Sequence, residues 1–138
     1  MAVDNETTIL IERTKQFLKN HYKQDRHHVA CALVTAGNTY FSLHLDTSGY
    51  DICAEPIAIS NALAAGETNF ETITAVYWDG NESHEPIIIS PCGDCRQMLI
   101  EYAPNLKVIV EGQEGPETIS IEELLPHSYV NPKRKLSH

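Results

Sequence analysis

Residues 90–97 read S-P-C-G-D-C-R-Q, and residues 53–55 read C-A-E. Cys92 and Cys95 form a C-x-x-C pair behind a proline. Alone, such a pair fits a zinc half-site, a redox dithiol or two ordinary thiols. Cys53 adds a third soft ligand, and Glu55 places a carboxylate two residues from it. Three thiols and one adjacent carboxylate are the parts of a zinc centre with one coordination position left open.

Outward from these motifs, strands alternate with helices. Both cysteine stretches open predicted helices, over 53–65 and 92–102. Gly66 stops the first and Pro104 limits the second, while Pro56 suits a first turn that does not need its N–H. Free N–H groups and the positive end of the dipole favour thiolate at such positions. Cys92 and Cys95, three residues apart, can face one direction from a single turn.

An amphipathic helix is expected over 5–22, with Leu10, Thr14, Phe17, Leu18 and Tyr22 near one face and Thr7 or Thr8 as its cap. Residues 28–35, H-V-A-C-A-L-V-T, suit a strand buried on both faces. A turn at 36–38 leads to a second strand over 39–46, whose alternation sets His44 and Asp46 on one side of the sheet. Residues 47–52 read as a loop, 72–78 as a strand, 79–86 as a polar loop and 87–89 as a short strand. Strands over 106–111 and 117–121 and a helix over 121–125 complete the map. Tyr77 and Trp78 are expected in the core, Cys31 as a packed thiol, and His27 and His28 as surface histidines beside a possible pocket. The class is α/β, in one domain over 1–130 with a short tail over 131–138.

Composition narrows the function classes. Lys plus Arg is 10 against 19 for Asp plus Glu, a net charge of −9. So acidic a domain is a poor binder of a nucleic-acid backbone, and the basic cluster at 133–135 reads as a frayed tail. No apolar run is long enough to span a bilayer, and the acidic start lacks a signal-peptide core. A cytoplasmic location is expected, where four cysteines serve as ligands or core residues rather than disulfides.

For Cys53, Cys92 and Cys95 the readings are a catalytic zinc, a structural zinc, or redox and plain thiols. Structural sites usually close with four Cys or His ligands, and the remaining cysteine sits mid-strand, so the count favours an open site. Three thiolates and Zn²⁺ sum to about −1, which calls for positive groups nearby. Helix ends supply part of this, and Arg96 is the side-chain candidate. Glu55 stands where general acid–base work on a bound water needs a carboxylate.

The combination of C-A-E at 53–55 with P-C-G-D-C-R-Q at 91–97 resembles the cytidine deaminase family, whose zinc deaminases carry a related H-x-E and P-C-x-x-C signature. V-A-C-A-L at 29–33 resembles the family's first strand and E-L-L-P-H-S-Y at 123–129 its C-terminal segment. The resemblance implies a three-layer α/β/α sandwich on a mixed five-stranded sheet, and a homotetramer with one Zn²⁺ per subunit and sites at subunit contacts. It implies zinc on Cys53, Cys92 and Cys95, with Glu55 moving protons at N3 and at the departing ammonia. It also implies Ala54 N–H on the base carbonyl and the Ser90 carbonyl on the amino group.

Two positions depart from the ordinary family pattern. His44-Leu45-Asp46 stands where the ribose-holding Asn-x-Glu is usual, and Pro56 stands where an arginine usually follows the glutamate. Both, with the L-L-P-x-x-Y ending, resemble the blasticidin S deaminase-like branch. The expectation is a small nucleoside substrate, with His44 and Asp46 on its sugar side and Tyr129 near its base or sugar.

Overall fold

Small residues dominate β1 (Val29–Thr35), and both of its faces are covered. Cys31 and Leu33 point into one apolar layer, Ala30 and Ala32 into the other. In a computed structural model describing residues 2–136, β1 lies second in a sheet ordered β2-β1-β5-β7-β8. These are β2 (Thr39–Leu43), β5 (Phe70–Tyr77), β7 (Lys107–Gly112) and β8 (Gly115–Ser120). The short β6 (Ile87–Ile89) adds a sixth strand by pairing antiparallel with Ala75, Val76 and Tyr77 of β5. β7 takes Thr72 and Ile73 on the other half of that strand, in parallel. The sheet is therefore mixed, as expected, with one β5 edge shared by two partners.

Helix α1 (Asn5–His21) covers one face through Leu10, Ile11, Thr14 and Leu18. Asp4, not Thr7 or Thr8, is its cap: the Asp4 carboxylate accepts from Thr7 N–H at 2.9 Å. Asp is as good a cap as Thr and lies one turn earlier, which frees more of the threonine-containing turn to be helical. Helices α2 (Ala54–Ala64) and α3 (Gly93–Tyr102), with α4 (Ile121–Leu124), cover the other face around Leu33, Leu99 and Leu106. Each such fully buried side chain contributes roughly 1.5–3 kcal/mol.

Three expectations need correction. The second strand breaks at His44, and its continuation becomes β3 (Leu45–Asp46), paired with β4 (Asp51–Ile52) in a separate two-stranded ribbon. Trp78 is core, but Tyr77 is 37% exposed, because alternation at the strand end turns it outward. Residues 132–136 form α5 (Pro132–Leu136), where Arg134 pairs with Glu101 of α3, rather than a fray. Residues 137–138 of the expected tail lie outside the described ones.

Candidate metal centre and active site

The three cysteines are brought together by two helix starts. Cys53 is the N-cap of α2, Cys92 is the N-cap of α3, and Cys95 lies in the first turn of α3. Their sulfurs all lie within 4.8 Å of one another. Cys53 Sγ and Cys92 Sγ are 3.9 Å apart. Tetrahedral zinc with Zn–S near 2.3 Å needs sulfurs about 3.8 Å apart, so the spacing fits the metal.

The electrostatics separate the three thiols. Burial would raise the Cys92 thiol, but the backbone N–H groups of Cys95 and Asp94 and the neighbouring thiols outweigh it and hold it below its ordinary value. Burial pushes Cys53 up, and negative charge on Cys92 and Glu55 adds to it. Cys95 is pushed far up, by burial and then by Glu55. Thiolates crowded against a carboxylate are a donor set that a divalent cation stabilises.

Glu55, in the first turn of α2, is only 5% exposed. Burial raises its carboxyl above the usual range, against the opposing pull of its own backbone N–H and the Cys95 thiol. Burial of this kind favours the protonated carboxyl over the bare carboxylate, the direction that acid–base work at a buried site needs. Ala54 is the first residue of α2 and is fully buried. Its N–H is among those with no intrahelical partner, while its carbonyl accepts from Ser42 Oγ at 2.7 Å.

Arg96 directs two of its donors to backbone carbonyls. Its Nε donates to Pro91 O at 2.8 Å and a terminal nitrogen donates to Leu124 O at 2.9 Å. The guanidinium thus ties the loop before Cys92 to α4. At Cys92 the start of α3 supplies compensation through the N–H groups of Cys95 and Asp94.

A cavity of about 250 Å³ opens beside Cys53, Cys92 and Glu55, and Ser90 lines it too. Its other polar lining is His28, His44 and Asp51. His28 therefore faces the cavity, not only the surface. His44 does as well, and it is 5% exposed rather than on an open strand face. Asp46 is not in the lining; its carbonyl accepts from Arg26 at 3.0 Å. Sequence reasoning missed Asp51, because 47–52 read as a loop. Asp51 shares strand parity with Cys53, a signal that could have found it.

Tyr129 is 66% exposed and lines a larger cavity of about 650 Å³ with Ile100, Glu122 and Leu125. Its carbonyl accepts from Gln97 Nε2 at 3.0 Å. That cavity contains neither a cysteine of the metal group nor Glu55, so the smaller one is the candidate site.

The chain matches the family model described as "Cytidine and deoxycytidylate deaminase zinc-binding region" over residues 5–111. The chain belongs to this zinc-binding deaminase family. It is 33% identical over 125 residues to the blasticidin-S deaminase of Bacillus cereus, covering 87% of this chain and 89% of that one. It is 25% identical over 125 residues to the cytidine deaminase of Mycoplasma genitalium, covering 87% and 92%. The cytidine deaminase of Bacillus anthracis superposes with a TM-score of 0.79 at 20% identity, covering 96% of this chain and 95% of that one, which shows the common fold. That of Burkholderia pseudomallei gives 0.68 at 26% identity, covering 92% and 100%. Zinc is the family's metal, and Cys53, Cys92 and Cys95 can hold it. Among the described residues no helix is long and apolar enough to cross a membrane.

Hydrogen bonding fixes one ring nitrogen of His44. His28 N–H donates to His44 Nε2 at 3.0 Å, so that nitrogen carries no proton. His27 Nδ1 donates to His44 O at 3.0 Å. Burial, and then His28, hold the His44 pKa below its ordinary value of 6.5, against an upward pull from Asp51. The unfolded chain therefore binds more protons than the folded one as pH falls through that range. The stabilising contribution is complete above about pH 7 and is lost on acidification. Thermal melts from about pH 7.5 to 5.5 should fall in Tm, with a shallower slope in His44→Gln. Equal slopes in both proteins would assign the acid sensitivity to other groups.

Proposed function

We propose that the chain hydrolyses the exocyclic amine of the cytosine moiety of a small nucleoside or nucleoside analogue, giving the uracil form and ammonia. The observation that carries this reading is the cluster of three sulfurs within 4.8 Å at the wall of a cavity that also holds a buried glutamate. Zinc on those sulfurs supplies Lewis acidity that makes water a nucleophile at neutral pH.

The chain's own residues manage the protons and the fit. Glu55 takes a proton from the attacking water and places it on N3 of the ring, while the water oxygen bonds to C4. Glu55 then passes the second proton to the exocyclic nitrogen, the C4–N bond breaks, and ammonia leaves. Its burial supports the protonated state that the second transfer needs. Ala54 N–H binds the base carbonyl, a role supported by its place in the first turn of α2, and the Ser90 carbonyl binds the amino group. His44 serves the sugar side. Tyr129, which does not line the thiol cavity of its own chain, acts on a neighbouring subunit in a cytoplasmic homotetramer.

The leading substrate is blasticidin S, supported by the 33% identity with the Bacillus cereus enzyme and by His44 and Pro56 at two departing positions. A second reading, salvage of cytidine and deoxycytidine, is supported by the similarity to the Mycoplasma genitalium enzyme. An ultraviolet assay with blasticidin S, cytidine, deoxycytidine and cytosine tests both. Blasticidin S should give the highest kcat/KM. A lead for cytidine or deoxycytidine would establish the second reading, and no turnover by zinc-loaded protein would overturn both.

A further inference from the structure

The reacting C4 must sit at the end of the cavity formed by Cys53, Cys92 and Glu55. In a pyrimidine ring N1 lies opposite C4, so whatever N1 carries points away from the sulfurs. The polar groups left to meet it are those of His28, His44 and Asp51.

His44 and Asp51 form a pair. With its Nε2 occupied by His28 N–H, neutral His44 carries its proton on Nδ1. That nitrogen lies 3.7 Å from Asp51 Oδ1, in electrostatic contact but too far for a hydrogen bond. Asp51 keeps both oxygens available, and its side chain is 71% exposed at the cavity mouth. β4 fixes its backbone through pairing with Asp46 of β3, two residues before Cys53. A carboxylate on a short ribbon, beside a buried imidazole anchored from below, presents acceptors and a negative charge. It can bind donors on the N1 substituent and can bind no acceptor without a proton between.

We propose that Asp51, at the cavity mouth beside His44, reads the N1 substituent of the base and selects substituents that present hydrogen-bond donors, cationic ones above neutral ones. This rests on the cytosine-deaminase reading and adds to it the chemical class the site accepts. Any donor that meets the carboxylate makes a charge-assisted bond, and an ammonium adds direct attraction between opposite charges, so it gains more from Asp51 than a hydroxyl does.

Three substrates separate the contributions: 1-methylcytosine has no donor on N1, cytidine has neutral hydroxyls, and 3′-amino-3′-deoxycytidine has an ammonium. Steady-state kinetics are compared for zinc-loaded wild type, Asp51→Asn and Asp51→Ala, with zinc content measured on each. Asp51→Asn should lower kcat/KM for the amino nucleoside by about tenfold or more and for cytidine by less, through KM, and leave 1-methylcytosine within about twofold. Zinc content should not change. Equal losses on all three substrates, or a fall in zinc content, would show a structural role for the ribbon and overturn the proposal. Turnover independent of Asp51 would overturn it while leaving the deaminase reading intact. Failure of wild type on all three and on blasticidin S would overturn both.

Discussion

Glu55→Gln is expected to lower kcat by about 10³-fold, within the range of a lost general acid–base group, while zinc stays bound. The glutamine keeps the shape and the polar contact of a residue that is 5% exposed. It cannot take a proton from water or return one to the leaving nitrogen. Because the substitution removes a role made in the transition state, kcat and kcat/KM should fall together and KM should change little. Metal analysis beside single-turnover assays checks this. A variant that keeps near wild-type turnover would assign proton transfer elsewhere. A variant that loses zinc would make Glu55 part of the metal's support, and would recast the chain as a zinc-binding module if the activity assays also failed.

Cys92→Ala should have the second large effect, through a different observable. Cys92 is the thiol that the start of α3 holds below its ordinary pKa, so it is the group readiest to bind metal near neutrality. Its loss leaves Cys53 and Cys95, both pushed up by burial, with two sulfurs for one cation. Removing an outer-shell partner of a metal ligand costs about 10–100-fold in affinity, and removing a ligand should cost more. Zinc per chain should fall from about one toward zero, with activity lost in proportion. Tm should fall as well, since metal bound to the folded state stabilises it. A chelator should reproduce these losses in wild type, and added zinc should reverse them there but not in the variant. Full zinc occupancy in Cys92→Ala would remove this cysteine from the donor set.

The sequence was most informative where one chemical requirement dominates. A helix N-terminus leaves N–H groups unpaired, so Cys53, Cys92 and Cys95 are readable from local pattern as a potential donor set. Helical periodicity placed α1, and uniformly small apolar residues marked β1 as covered on both sides. Reading failed where local pattern underdetermines direction. Residues 39–46 alternate like one strand, yet the chain leaves the sheet at His44 and closes a separate ribbon with 51–52. That break buries His44, moves Asp46 out of the cavity lining, and brings Asp51 in. Arg96, adjacent to a ligand in sequence, instead spends its donors on Pro91 and Leu124 carbonyls.

The amino-acid sequence by itself determined the α/β class, the zinc-binding donor set and Glu55 as its companion, because each depends on residue type and on spacing within a single turn. Tertiary structure alone decided that the two helix starts meet with sulfurs 3.9 Å apart, and that burial raises Glu55. It also decided that Asp51 rather than Asp46 lines the cavity with His44. Those facts depend on how β5 shares its edge between β6 and β7 and on where the second strand leaves the sheet. Such contacts join residues far apart in the chain, and no local periodicity records them.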